Sequence, residues 1–292
     1  MYELIKVSNN SYYVNCPAKI GLYVNEDNSV YLIDSGNDKE AGRKVRQILD
    51  KNGWTLKAIL NTHSNADHIG GNKYLQAQTG CKIFAPGIEA DFTRHPILEP
   101  SFLYGGYPCK DLRHKFLLAQ ESEAMDITAP DFPREIEVLP LPGHFFDMVG
   151  YRMPDGIIFL ADCISSAATL EKYRVGYIYD VKAYLETLDY IETLTAPMFV
   201  PAHTEAVEDI HELAELNRQV VLEIIDKLLN ICVEPVCFED ILKQVFDDYG
   251  LVMNMEQYCL VGNTVKSYLS YLKDDGRMNA VFENNRLLWV RV

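Results

Sequence analysis

Residues 61–71 read NTHSNADHIGG and follow the apolar run LKAIL at 56–60. That run is short, apolar and bounded by polar residues, which predicts a buried strand. The end of the strand then delivers His63, Asn65, Asp67 and His68 within six positions. Imidazoles and carboxylates at such density suit a metal ion: zinc takes both donors, and iron or manganese accept the same set. A lone HxxxxH is weak evidence. The reading turns on whether more donors stand at other strand ends.

Three do. VLPLPGH ends at His144, GIIFLAD at Asp162 and MFVPAH at His203. Side chains at neighbouring strand ends converge on one rim of a sheet, where α/β proteins place their sites. Any one of these histidines taken alone is most simply a hydrogen-bonded polar residue; the ordered set is what points to a metal. His95, His114 and His211 have no such context. The first two fall in an insertion that could reach a pocket, and the third belongs to a helix surface. Cys163 follows Asp162 directly, and adjacent strand residues point to opposite faces, so it reads as core.

This ordered set resembles the metallo-β-lactamase superfamily, whose loop reads HxHxDH. The match runs through His63, Asp67 and His68, then His144 in PGH, Asp162 in LAD and His203 in PAH, over about residues 1–205. Asp34 in LIDSG is similar to the early strand-end aspartate of that family, a supporting residue. The resemblance implies an α/β fold, an αββα sandwich of two face-to-face sheets with helices outside, and up to two metal ions. It implies that His63, the Asn65 position and His144 hold one metal. Asp67, His68 and His203 hold the other, and Asp162 bridges. Zinc is the default, with iron or manganese as alternatives. Asn65 departs from the family pattern, where a second histidine stands. An amide oxygen is a poorer zinc ligand than imidazole, so the expectation is one tight and one weak site. Asn65 either ligates directly or hydrogen-bonds a neighbouring ligand.

Around this core the chain divides into a catalytic domain at 1–207 and a C-terminal domain at 208–292. YELIKV, SYYVNC, KIGLYV and SVYLID predict strands paired as hairpins, because no helix fits between them. NDKEAGRKVRQILDKNG predicts a helix ending at Gly53. Residues 87–134 carry Pro, Gly and aromatics with weak periodicity. They read as a lid or, equally, as a partly helical surface insertion or oligomer contact. Phe102, Tyr104 and Tyr107 there are candidates for an aromatic substrate wall, with plain packing as the alternative. From about 205 a long helix with Ile210, Leu213, Val220, Ile224 and Leu228 on one face is followed by two helices and a hairpin turning at Asn284–Asn285. That order is winged-helix-like.

The formal charge of −15 disfavours nucleic acid and anionic membranes as main partners. Residues 231–292 hold nine acidic and six basic side chains, a net of −3, where a DNA-reading winged helix is basic. A dimerisation or pocket-capping role is the expectation for that domain. There is no run of about 18 apolar residues to span a membrane. The seven cysteines show no CxxC and the start lacks a signal-peptide pattern, which predicts a cytoplasmic protein with reduced thiols. The function implied is a metal-dependent hydrolase of a small ester, thioester or lactone, with Asp67 orienting or deprotonating the water. The rivals are a flavodiiron-like di-metal oxidoreductase and a nucleic-acid-processing or regulatory protein.

Overall fold

The computed structural model describes residues 2–292. Strands β1 (Glu3–Lys6), β2 (Ser11–Asn15), β3 (Ile20–Val24) and β4 (Ser29–Ile33) form an antiparallel meander. The links between them are too short for anything but hairpins. Asn28 turns the last of them at φ 62°, a left-handed conformation that asparagine tolerates. Helix α1 (Lys39–Asn52) starts at Asp38, whose carboxylate accepts from the N–H groups of Glu40 and Ala41. It ends at Gly53, φ 69°, as a left-handed C-terminal glycine should. Then come β5 (Thr55–Leu60), the one-turn α2 (Ala66–Ile69), α3 (Asn72–Thr79) and β6 (Lys82–Ala85).

The 87–134 insertion is more regular than its sequence suggests. It folds as α4 (Gly87–Arg94), α5 (Leu98–Tyr104), a 3-10 turn at Lys110–Leu112 and β7 (Ala124–Asp126). β7 completes a seven-stranded sheet ordered β1-β2-β3-β4-β5-β6-β7. A second sheet holds β8 (Glu137–Pro140), β9 (Val149–Arg152), β10 (Ile158–Ala161) and, after helices α6 (Ala167–Tyr173) and α7 (Val181–Glu192), β11 (Phe199–Pro201).

The two sheets meet face to face. Tyr31, Leu60 and Phe84 of the first pack with Val149, Tyr151, Phe159 and Val200 of the second. On the outer side of the first sheet, Val30, Leu32 and Ile59 bury against Val45, Leu49 and Leu75 of α1 and α3. On the outer side of the second, Ile158 and Leu160 bury against Tyr184 and Leu188 of α7. This is the expected αββα sandwich. Each fully buried aliphatic side chain contributes about 1.5–3 kcal/mol, so the rim carrying the donors is set by a rigid sandwich.

The C-terminal part comprises α8 (His211–Ile231), β12 (Val236–Cys237), α9 (Phe238–Tyr249), α10 (Met255–Asp274), β13 (Met278–Glu283) and β14 (Arg286–Arg291). β13 and β14 turn at Asn284 and Asn285, both at positive φ, which suits a two-residue hairpin. β12 pairs with β14, so the order of elements is winged-helix-like. Of the expected apolar stripe of α8, Ile210, Ile224 and Leu228 are buried and Leu213 and Val220 half-buried, while Ala214, Val221 and Ile225 are buried beside them. The same buried cluster runs without interruption from Ile158 and Leu160 through α8 to Ile241, Val245, Leu269 and Met278. All seven cysteines are free thiols. Among the described residues no helix is long and apolar enough to cross a membrane.

Candidate metal centre

The strand ends bring the predicted donors together. Two groups of side chains each have their donor atoms within 4.8 Å of one another: His63, His144 and Asp162, and Asp67, His68 and His203. Asp162 stands between them. Its oxygens lie 3.2 Å from His68 Nε2, 3.0 Å from His203 Nε2 and 3.7 Å from His144 Nε2. Donors at about 2.0–2.1 Å from a tetrahedral ion sit about 3.3–3.4 Å apart, and the three distances here, from 3.0 to 3.7 Å, bracket that spacing.

The second nitrogen of every imidazole is tied to the scaffold. His68 Nδ1 meets Asp34 Oδ2 at 2.8 Å, and His63 Nδ1 meets Thr62 Oγ1 at 3.0 Å. His144 Nδ1 donates to the Tyr177 carbonyl at 3.0 Å and His203 Nδ1 to the Pro17 carbonyl at 2.8 Å. Thr62 Oγ1 itself donates to Asp34 at 2.7 Å, so Asp34 orients both His63 and His68. With Nδ1 anchored, each Nε2 lone pair faces the common space, the arrangement expected of metal-ligating histidines. His63 Nε2 is buried without a hydrogen-bond partner, and His68 Nε2 and Asp162 Oδ1 are buried facing only each other at 3.2 Å, without a well-formed hydrogen bond. Buried polar atoms are rarely left so, and a cation would satisfy all three. Burial disfavours charge on His68 and His203, yet Asp162 and Asp67 outweigh it, joined by Asp34 at His68. They hold the His68 pKa well above 6.5 and raise that of His203 to about 10. The centre thus attracts positive charge, and a divalent ion would supply it.

Two backbone features aim these donors. Ala161 adopts φ 52° where the register of β10 against β11 shifts, and this bulge turns Asp162 onto the rim. Gly143 has φ 120°, and a Cβ there would stand 2.3 Å from the Tyr184 nitrogen; only glycine lets the chain reach His144 by this path.

The loop itself is gripped from the insertion, which the sequence reading missed. Glu89 of α4 accepts from the N–H and Oγ of Ser64 and from the N–H of Asp147. Glu99 of α5 accepts from Asn65 Nδ2 at 2.9 Å and from the Ala66 N–H at 3.1 Å. Asn65 Oδ1 is thereby turned inward, 3.2 Å from His144 Nε2. The only signal in the sequence was a pair of glutamates ten residues apart near the start of the insertion, among its apolar and aromatic residues. Thr264 of α10, also missed, accepts from the Ile178 N–H at 3.2 Å, next to the carbonyl that holds His144.

The other candidates are placed apart. Phe102 joins an aromatic cluster with Phe145, Phe146 and Tyr179. Tyr104 faces α9 and α10 beside Phe238 and Tyr258, and Tyr107 is 73% exposed under Arg113. None of the three lines the open cleft of about 640 Å3 that reaches Asp67 and His203; Lys115, Phe116, Lys172 and Tyr173 do. His95 is exposed, His114 lies 3.6 Å from Glu256, and His211 pairs with Asp209. Cys163 is buried in the core.

An αββα sandwich carrying such a rim of imidazoles and carboxylates has the architecture of a metal-dependent hydrolase. Residues 13–203 match the profile of the metallo-beta-lactamase superfamily, and the chain belongs to that superfamily and its metal-dependent hydrolases. It is similar to a hydroxyacylglutathione hydrolase of Methylococcus capsulatus, 43% identical over 207 residues covering 68% of each chain. Another hydroxyacylglutathione hydrolase, from Methylobacillus flagellatus, is 30% identical over 148 residues covering 49% of each chain. A beta-lactamase domain protein from Burkholderia ambifaria superposes with a TM-score of 0.75 at 16% identity, over 99% of this chain and 94% of its own. A metallo-beta-lactamase family protein from Thermus thermophilus gives 0.70 at 17% identity, over 99% and 97%. These two show that the fold extends through the C-terminal helices.

Proposed function

We propose that this protein hydrolyses thioesters or esters of small acyl groups at a zinc centre. The observation that carries the reading is the set of four imidazoles, each anchored at Nδ1 and open at Nε2, around the shared Asp162. One ion would be held by Asp67, His68, His203 and Asp162. A second would be held by His63, His144, Asp162 and the amide oxygen of Asn65, and more weakly. Metal bound there supplies a Lewis acid and lowers the pKa of water to about 7.

The residues do the rest. Asp67 is one-third exposed, at the edge of the open cleft, where its free oxygen orients the attacking water and accepts its proton. The water adds to the carbonyl carbon, the C–S or C–O bond breaks, and the leaving group takes the proton. The cleft falls within the usual 300–1,000 Å3 of small-molecule sites and would receive the leaving group. Lys115 is paired with Asp38 at 2.8 Å, which leaves Lys172 as the cation for an anionic group. One cation does not select a leaving group with two carboxylates, such as the glutathione named for the relatives.

The packing of α10 speaks for a structural role of the C-terminal domain. In helix-turn-helix readers the recognition helix enters the DNA groove; here the corresponding helix contacts α5 and α7 and buries Thr264, Tyr268 and Leu269.

The test is turnover by zinc-loaded protein of matched thioesters, esters, lactones and phosphodiesters. Thioesters or esters are expected to lead. Turnover of phosphodiesters alone would refute the acyl reading.

A further inference from the structure

The metal centre has a second approach, from the side of the C-terminal helices. A small cavity of about 70 Å3 reaches His144, Asp162 and His203 from there. It is not sealed. Leu170 of α6 and Val220 of α8 line it, and the same two residues line a surface groove of about 240 Å3 at the seam between these helices. Both side chains are only half-buried. Helix α6 buries none of its residues and ends at Arg174 with φ 57°. The helix that closes the seam is therefore lightly held.

The walls between the seam and the centre suit water. Ser165, Tyr184 and Tyr268 bring hydroxyls in among the aliphatic side chains of Ile178, Val221 and Ile224. Tyr268 is fully buried, and its hydroxyl has no hydrogen-bond partner in the protein. A buried hydroxyl is normally paired. Burial, and then the neighbouring Tyr184, push its pKa well above the usual 10, so it stays a donor. The Tyr184 hydroxyl donates to Asn217 Oδ1 at 3.2 Å and keeps its own lone pairs. Asn217 is taken up by the Ser165 N–H and carbonyl. At about 10–15 Å3 for each water, the space holds about five.

We propose that this passage is a water inlet: a file of ordered waters enters between α6 and α8, hydrogen-bonds to Tyr268 and ends at Asp162. The inference rests on the hydrolase reading above. Hydrolysis consumes one water in each turnover. A substrate lying in the open cleft covers the approach past Asp67 and His203, and its products still cover it after the bond has broken. A water arriving from behind takes the place of the product acid while the leaving group still fills the front. Bulk at the seam therefore slows product departure, and with it kcat. Capture of substrate by the hydrated free protein, which kcat/KM reports, does not change.

The experiment uses zinc-loaded full chain. Its crystal structure is expected to show ordered waters from Ser165 to Asp162, one of them about 2.7–2.8 Å from Tyr268 Oη and missing in Tyr268→Phe. A dry cavity, or an organic group in it, overturns the proposal. Leu170→Trp adds bulk at the mouth of the passage, away from the metal donors. Magnetic relaxation dispersion of the water signal should find the residence time of buried water lengthened at least about 10-fold in this variant. Leu170→Ala, which widens the mouth, should shorten it. With matched thioesters and esters, Leu170→Trp should lower kcat by about 10-fold and leave kcat/KM within about two-fold of the parent. Residence times unmoved by either variant, or kcat and kcat/KM falling together, overturn the inlet. If no acyl substrate turns over in the parent, the hydrolase reading fails by itself, and the passage stands or falls on the waters and their exchange.

Discussion

Glu99→Gln isolates what Asn65 does. The substitution leaves side-chain volume almost unchanged but replaces one acceptor oxygen with an NH2 group. In the native protein both oxygens receive N–H donors, from Asn65 Nδ2 at 2.9 Å and from Ala66 at 3.1 Å. A glutamine can answer only one of them, and its own donor confronts the other. Leaving one buried donor unpaired costs about 1–3 kcal/mol. Asp67, His68 and His203 form no hydrogen bond with Glu99, so the cost falls on the position shared by His63, His144 and Asn65. Partners that orient a metal ligand typically change affinity by about 10–100-fold. Competition titration of zinc against a chromophoric chelator should show the weaker of two binding constants reduced by that factor and the tighter one unchanged. A pair of constants that fall together, or neither moving, would refute the claim that Glu99 turns the Asn65 amide oxygen towards metal.

Asp162→Asn removes charge from the one side chain facing His68, His144 and His203; metal analysis after mild chelation should find both equivalents depleted. Thr264→Val preserves shape but strands the buried Ile178 N–H, so the denaturation midpoint should report a loss of about 1–3 kcal/mol. The second, weaker metal equivalent should weaken with it, because the Tyr177 carbonyl holds His144. Asn217→Leu leaves the Tyr184 hydroxyl and both backbone groups of Ser165 unpaired. At roughly 1 kcal/mol or more for each, chemical denaturation should show a loss of about 3 kcal/mol. Gly143→Ala adds a clash to a left-handed backbone; a melting temperature equal to that of the parent would contradict the geometry at His144.

The donors were legible because each ends an apolar strand, and strand ends share a rim. His63, His144, Asp162 and His203 follow that rule closely, and so does Asp34; Asp67 and His68 come in on α2, just beyond the end of β5. Glu89 and Glu99 follow no rule visible in one dimension. They act through helices whose periodicity is masked by Pro96, Pro100 and a run of aromatics, and their targets lie 25 and 34 residues away. Asn217 was hidden for a different reason. It occupies a core position of α8, where the pattern calls for an apolar residue, and only its four partners make burial tolerable. Around that polar position Ala214 and Val221 are buried beside half-buried Leu213 and Val220, whereas Ile210, Ile224 and Leu228 are buried as expected. The substrate wall was misjudged in its details because aromatics alone do not tell a pocket from a core. Phe116, from the same insertion, reaches the cleft, whereas Phe102 packs inward.

The unbroken apolar cluster from the second sheet to the hairpin has a consequence for biosynthesis. Residues 1–207 contain every proposed zinc donor, yet the apolar cluster that α7 begins on the outer face of their second sheet is completed by helices translated afterwards. The segment at 177–178 that steadies His144 waits for α10. A ribosome that has released only the first two thirds of the chain therefore exposes a sticky, half-tethered intermediate. Capture of the second zinc ion should coincide with completion of the polypeptide, and premature termination should yield an aggregation-prone fragment instead of a smaller enzyme.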